Sequence, residues 1–279
     1  MSLLVKTYQV GADIVPMMRA RLCIVAFALL VAACGGEAVA APATAVGTAK
    51  ITVRNRLEHP SAPPVDTRPR FTGFAEAFHD DVSLAAMAKG ALDVFQTPEH
   101  PEPFLALPEI NIIGSTTVVA LVGDPADGWA EVSLPVRPNG TTGWIRLDQV
   151  DLFVVSGHIV VDLSDRRLVY YQSGREVLSA EIGIGSAHSP TPTGHFYVTD
   201  SVTLTKKGTP WGPHALGLSA RSDRITSFNG GDGIIGIHGT ATPASIGGAV
   251  SLGCVRLDND MITRLHALVP LGTPVEIRA

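Results

Sequence analysis

A cysteine stands in Ser251-Leu252-Gly253-Cys254-Val255-Arg256, sixteen residues beyond the histidine of His238-Gly239-Thr240. A thiol near its ordinary pKa is only a few per cent thiolate at neutral pH, and a neighbouring imidazole raises that fraction by taking the proton. His238 ends an apolar run, Gly233 to Ile237, so a sheet can fix its ring while Gly239 lets the chain leave sharply. Gly253 permits a tight turn before Cys254, and backbone N–H groups there can face a tetrahedral oxyanion. Arg256, two residues further on in an extended segment, lies on the same side as Cys254 and offers a fixed charge to a substrate carboxylate. These are the parts of a cysteine acyltransferase. A buried inert cysteine and a histidine at a strand end use the same residues. Zinc at the pair is disfavoured, because the region offers no second cysteine and no tight histidine pair.

The chain has three cysteines, and the other two lie in or at the end of an apolar N-terminal run. Met17-Met18-Arg19-Ala20-Arg21 forms a short basic segment, and Leu22 to Ala33 is an apolar stretch too short to span a bilayer with ease. It ends in Val31-Ala32-Ala33-Cys34-Gly35-Gly36, which resembles the lipobox of bacterial lipoproteins and implies a lipidated Cys34 and a membrane-anchored, envelope-facing protein. Cleavage after Ala38-Val39-Ala40 is the alternative, and residues 1–16 look unlike a leader, so Met1, Met17 and Met18 are all candidate starts. Exported with Cys34 acylated, the protein keeps Cys254 as a solitary thiol exposed to oxidation, a hazard that nucleophilic chemistry would explain. Without residues 1–33, which hold three basic residues and one acidic, the formal charge is −7 rather than −5. No basic surplus exists to neutralise phosphates, which argues against nucleic acid as a partner.

Residues 34–80 are rich in Ala, Pro and Thr and read as a flexible linker. Residues 81–152 hold short strand-like runs (91–94, 117–122, 129–134, 143–147) separated by Gly, Pro, Asp and Asn. They resemble a bacterial SH3-like domain; a packing module without a ligand reads the same way. Residues 153–279 stay β-rich, with strands over 159–163, 168–171, 177–184, 196–198, 233–237 and 273–277. The one helix is Asn259–Leu268, capped by Asp258, striped by Met261, Ile262, Leu265 and Leu268, and stopped by Pro270. Trp211 sits in a Gly/Pro-rich stretch where a lid over a cleft is expected, although a hydrophobic plug is as good a reading. His188 and His195 read as loop residues near that cleft, and His266 lies on the helix.

Ile237-His238-Gly239-Thr240 followed by Ser251-Leu252-Gly253-Cys254-Val255-Arg256-Leu257 resembles the signature of the L,D-transpeptidase catalytic domain, the YkuD type, and Ser189-Pro190-Thr191-Pro192-Thr193-Gly194 resembles that family's Thr-Pro-Thr-Gly segment. The resemblance spans roughly 158–277. It implies a mainly β, YkuD-like mixed sheet with a short C-terminal helix, needing no metal or cofactor. It further implies Cys254 as nucleophile, His238 as base, Gly239 orienting the imidazole through its carbonyl, and Ser251, Gly253 and Arg256 shaping the acyl site. The implied partners are peptidoglycan stem peptides. The thiolate attacks the third residue of a tetrapeptide donor, D-Ala leaves, and an acceptor amine resolves the thioester into a 3→3 link. Acylation of Cys254 by carbapenems is implied as well. Many members carry histidine after the motif serine; here that position is Leu252, so His238 is the one motif histidine available as base. A hydrolase that uses water as acceptor and a non-catalytic wall-binding lipoprotein are the competing readings.

Overall fold

Two β-sheets are joined at Gly157, with strands running directly into it and out of it. The computed structural model describes residues 82–228 and 231–279, together with the strands Thr7–Tyr8 and Ile51–Val53. Apart from those two strands, the leader, Cys34 and the linker lie outside the described residues. Ile51–Val53, within the span read as linker, pairs antiparallel with residues 202–204.

The small sheet contains β1 (Val82–Ala88), β4 (Val118–Leu121), β5 (Trp129–Ser133), β6 (Thr142–Arg146) and β7 (Val150–Ser156), in the order β6-β5-β4-β1-β7. A ribbon of β2 (Leu92–Val94) and β3 (Leu105–Leu107) packs on it. By its pairing with β1, strand β7 belongs to this sheet, which therefore extends to Ser156, past the boundary read at 152. All of β4 is buried, with no polar alternation, because both faces are covered. Val119 and Leu121 face the ribbon core, while on the opposite face Val118 packs with Ala85 and Val155 of the same sheet and Ala120 meets Tyr197 of the larger domain.

The larger sheet holds β8 (His158–Asp162), β9 (Arg167–Gln172), β10 (Arg175–Glu181), β12 (Gly194–Leu204), β13 (His214–Arg221), β14 (Ile234–His238), β16 (Val255–Arg256) and β17 (Pro274–Arg278), in the order β10-β9-β8-β17-β12-β13-β14-β16. The last strand of the chain lies in the middle, parallel to β8 and antiparallel to β12. Two short strands, β11 (Ile184–Gly185) and β15 (Ala249–Ser251), pair in parallel beside it. Helix α1 (Asn259–Leu268) forms as read: the Asp258 carboxylate accepts from the Asp260 N–H, and Ile262 and Leu265 are buried in the core. His266 on α1 is buried too, stacked on His214 at 4.2 Å with its Nε2 3.0 Å from Ser201 Oγ.

Polar side chains fasten the two domains. Arg137 of the small domain donates to the carbonyls of Ser222, Ile225 and Asp232 at 2.6, 2.9 and 2.5 Å. Asn139 bonds both the N–H and the carbonyl of Arg221, and the buried Tyr197 donates to the Ser133 carbonyl at 3.0 Å. Buried Arg221 in turn bonds the Pro135 carbonyl and pairs with Asp232 (Nε···Oδ1 2.7 Å). Truncating Arg137 to alanine leaves three carbonyls without their donor and should cost about 3 kcal/mol. A guanidinium-chloride titration of the variant checks this; an unshifted midpoint would show that the interface contributes little.

Candidate active site

The parallel pairing of β14 with β16 places the two motifs side by side. Ile237 is level with Val255 and His238 with Arg256, so Cys254, just before β16, is level with Gly236. Residues that are level in neighbouring strands share a face, and so do residues two apart along a strand. Gly236, His238, Cys254 and Arg256 therefore occupy one face. Glycine at 236 puts no side chain beside the sulfur, and its backbone forms a hydrogen bond to Cys254. Gly236 is a contributor that the motif reading missed, since nothing in its type singled it out.

His238 is buried, and its Nδ1 lies 2.5 Å from the carbonyl oxygen of Gly239. A carbonyl can only accept, so Nδ1 carries the proton and Nε2 is left with its lone pair. The Gly239 carbonyl thus fixes the orientation of the ring. Burial pushes the imidazole pKa down to about 4; the Gly239 hydrogen bond opposes this and the Arg256 charge adds to it. Cys254 keeps some solvent contact as a residue, yet the protein around its sulfur pushes the thiol pKa up, offset in part by the Gly236 hydrogen bond and by Arg256. The resting pair is thus a neutral thiol and a neutral imidazole. The thiolate–imidazolium pair suggested by the residue types is not the ground state, because burial penalises both charges.

Ser251, 2% exposed, ties the turn together: its Oγ donates to the Cys254 carbonyl at 2.6 Å and accepts from the Gly253 N–H at 3.1 Å. The Gly253 N–H, a candidate oxyanion donor from the sequence, is therefore already engaged. Gly253 itself has φ +116°, and a Cβ there would lie 2.9 Å from Ile235 Cδ1, so no other residue fits without strain. Substituting Ser251 by alanine strands a buried N–H and a carbonyl, and should destabilise by about 2 kcal/mol. Thermal denaturation of Ser251→Ala beside wild type measures it, and an unchanged melting temperature would refute it.

The Ser189–Gly194 segment holds the same turn from the other side. Ser189 Oγ donates to the Leu252 carbonyl at 2.8 Å, and the Ser186 N–H donates to the Ser251 carbonyl at 2.9 Å. Position 252 thus acts through its backbone, and its side chain is exposed, which explains how leucine is accommodated there. Arg256 is clamped by reciprocal backbone bonds with Gly183 (2.8 and 2.9 Å), while its buried Nε has no hydrogen-bond partner among the described residues. His188 is exposed in a turn. His195 lies on β12, level with Glu276, and not in a loop. Much of the stretch read as a lid is the strand β13; only residues 205–213 form a connection, in which Trp211 is half-buried.

The family model for the L,D-transpeptidase catalytic domain, YkuD, matches residues 156–277. The YkuD protein of Bacillus subtilis is 35% identical over 127 residues, covering 46% of this chain and 69% of that protein. The chain belongs to the L,D-transpeptidase family. The ErfK/SrfK protein of Salmonella typhimurium, named as an L,D-transpeptidase, is 35% identical over 136 residues, 43% of each chain. A solved L,D-transpeptidase from Mycobacterium smegmatis aligns over 59% of this chain and 92% of its own, with 15% identity and a TM-score of 0.37. An L,D-transpeptidase is an acyltransferase, and this chain keeps Cys254 and His238 of the motif on one face of one sheet.

Proposed function

We propose that the chain is a peptidoglycan L,D-transpeptidase in which Cys254 is the nucleophile and His238 the base. The observation that carries this reading is the register of β14 against β16, which puts the thiol and the ring with its free Nε2 on one face, two residues apart. With both groups neutral at rest, attack and proton transfer occur together. The S–H proton passes to Nε2 as sulfur bonds to the carbonyl carbon of the third residue of a tetrapeptide stem. Arg256 favours the developing thiolate and disfavours the imidazolium, so the charged pair is short-lived. The N–H of Cys254 takes the oxyanion, since that of Gly253 is held by Ser251. Collapse returns the proton from His238 to the departing D-Ala amine and leaves a thioester. An acceptor amine then gives its proton to His238 and its nitrogen to the acyl carbon, the C–S bond breaks, and His238 returns that proton to the Cys254 sulfur, leaving a 3→3 link and the resting thiol. The envelope location and the anchor at Cys34 belong to the same proposal.

Incubation with a purified tetrapeptide muropeptide, followed by mass spectrometry, tests it. The expected product is a dimer lighter by one D-Ala. Release of D-Ala without a dimer would make the enzyme a carboxypeptidase, and no turnover together with no carbapenem adduct on Cys254 would refute catalysis.

A further inference from the structure

The carbonyl that orients His238 belongs to the peptide unit joining Gly239 to Thr240, and the other end of that unit is the Thr240 N–H. A peptide unit is planar, with its C=O and N–H fixed in opposite directions, so whatever holds one group aims the other. The Thr240 N–H donates to Asn259 Oδ1 at 2.9 Å. A single line of hydrogen bonds therefore runs from the ring Nδ1 through one amide to the Asn259 side chain. Thr240 is 3% exposed, so removing that oxygen strands a buried N–H.

The surroundings make room for the oxygen and hold it still. A Cβ on Gly239 or on Gly212 would overlap Asn259 Oδ1, and one on Gly212 would also lie 2.7 Å from Gly239 Cα. Glycine at both positions thus leaves the space that the side chain occupies. Asn259 is the first residue of α1, one turn before the buried Ile262, which packs beside Gly239. Two residues before Asn259, the Leu257 N–H donates to the His238 carbonyl at 2.8 Å, and the Gly239 N–H donates to the His214 carbonyl at 3.2 Å. The short run from Cys254 through β16 into α1 therefore carries both the thiol and the support of the amide behind the imidazole.

Resting on the reading of His238 as base, we propose that Asn259 is a positioning residue: it holds the Gly239–Thr240 amide so that the carbonyl keeps the imidazole proton on Nδ1 and leaves Nε2 open to the thiol. Polarisation along the line adds to this. An amide whose N–H is engaged has a more negative carbonyl oxygen, which holds the Nδ1 proton more firmly. When the ring takes up the thiol proton, its positive charge strengthens the same line, so the contribution grows as the reaction proceeds. Asn259 acts on the ring only through that amide.

The test reads the tautomer by NMR in chains labelled with ¹⁵N-histidine, at neutral pH where the ring is uncharged. Wild type should show a pyrrole-type nitrogen at Nδ1 and a pyridine-type nitrogen at Nε2, signals identified by their loss in His238→Gln. In Asn259→Ala the two shifts should converge as the Nε2–H tautomer becomes populated. The kcat for D-Ala release should fall by about 10- to 100-fold, with KM within about twofold. Asn259→Leu, which fills the same space without an acceptor, should do the same. Asn259→Asp returns an oxygen to that place and should restore the wild-type tautomer and most of the lost kcat. A residue that merely stiffens the fold would change the melting temperature and leave the tautomer of the folded chain alone. Wild-type shifts in folded Asn259→Ala or Asn259→Leu would therefore overturn the proposal, as would Asn259→Asp behaving like Asn259→Leu. A wild-type chain that holds the Nδ1–H tautomer yet releases no D-Ala would instead overturn the transpeptidase reading.

Discussion

Cys254→Ala will abolish D-Ala release and dimer formation together, lowering turnover by about 10⁴-fold or more, as removal of an enzyme's nucleophile does. Both half-reactions pass through sulfur, so a variant that kept either would refute covalent catalysis at this residue. The loss will not be one of folding. Cys254 makes no disulfide, and the turn around it is held by Ser251 and Ser189 through backbone groups that alanine retains. Its unfolding midpoint should therefore match that of wild type. Cys254→Ser separates nucleophilicity from shape. A hydroxyl gives up its proton far less readily than a thiol, and His238, with a pKa of about 4, is a weak base. The serine enzyme should be nearly as inactive as the alanine one, and carbapenem should add mass to the wild-type chain alone.

His238→Gln should cost between about 10² and 10⁴ in kcat, the range for loss of a positioned base. It also has a signature in stability. The imidazole titrates near 6.5 when unfolded and near 4 when folded, so between those values the unfolded chain binds a proton that the folded one does not. The stability from keeping it neutral is complete above about pH 6.5 and is lost as pH falls towards 4, about 3 kcal/mol in all. Denaturant titrations from pH 7 to 4 should show that slope in wild type and a correspondingly shallower one in His238→Gln. Equal slopes would mean that the ring is not held neutral. Ultraviolet spectra of the wild-type chain at neutral pH should likewise show no thiolate band, and its presence would restore the resting ion pair.

Much of the site was legible because its chemistry is local. Ser251 to Arg256 and His238-Gly239 are short runs whose glycines and polar side chains bond to their own neighbours, so residue type and spacing carry the information. Helix α1 was legible for the same reason, with its cap, apolar stripe and terminating proline all within a dozen residues. What was hidden depends on distant partners. The read strand 196–198 is the core of a much longer strand, Gly194–Leu204, whose polar Asp200 is buried because Thr199 and Asn111, the latter from the small domain, bond its carboxylate. Strand β13 alternates weakly because neighbours cover both of its faces, and its flanking glycines and prolines suggested a loop. The pKa values were hidden too. Residue types favoured an ion pair, and only the burial that folding imposes turns both groups neutral.

Gly157 has a further consequence. Its φ is +122°, and a Cβ there would sit 2.6 Å from the Tyr171 carbonyl oxygen, so the chain turns between domains at a single residue that is wedged in place. With β7 and β8 flush against it, and Arg137, Asn139 and Tyr197 locking the flanks, there is no slack for one domain to swing on the other. The pair behaves as one solid body. The small domain therefore stands at a set distance and angle from the sulfur.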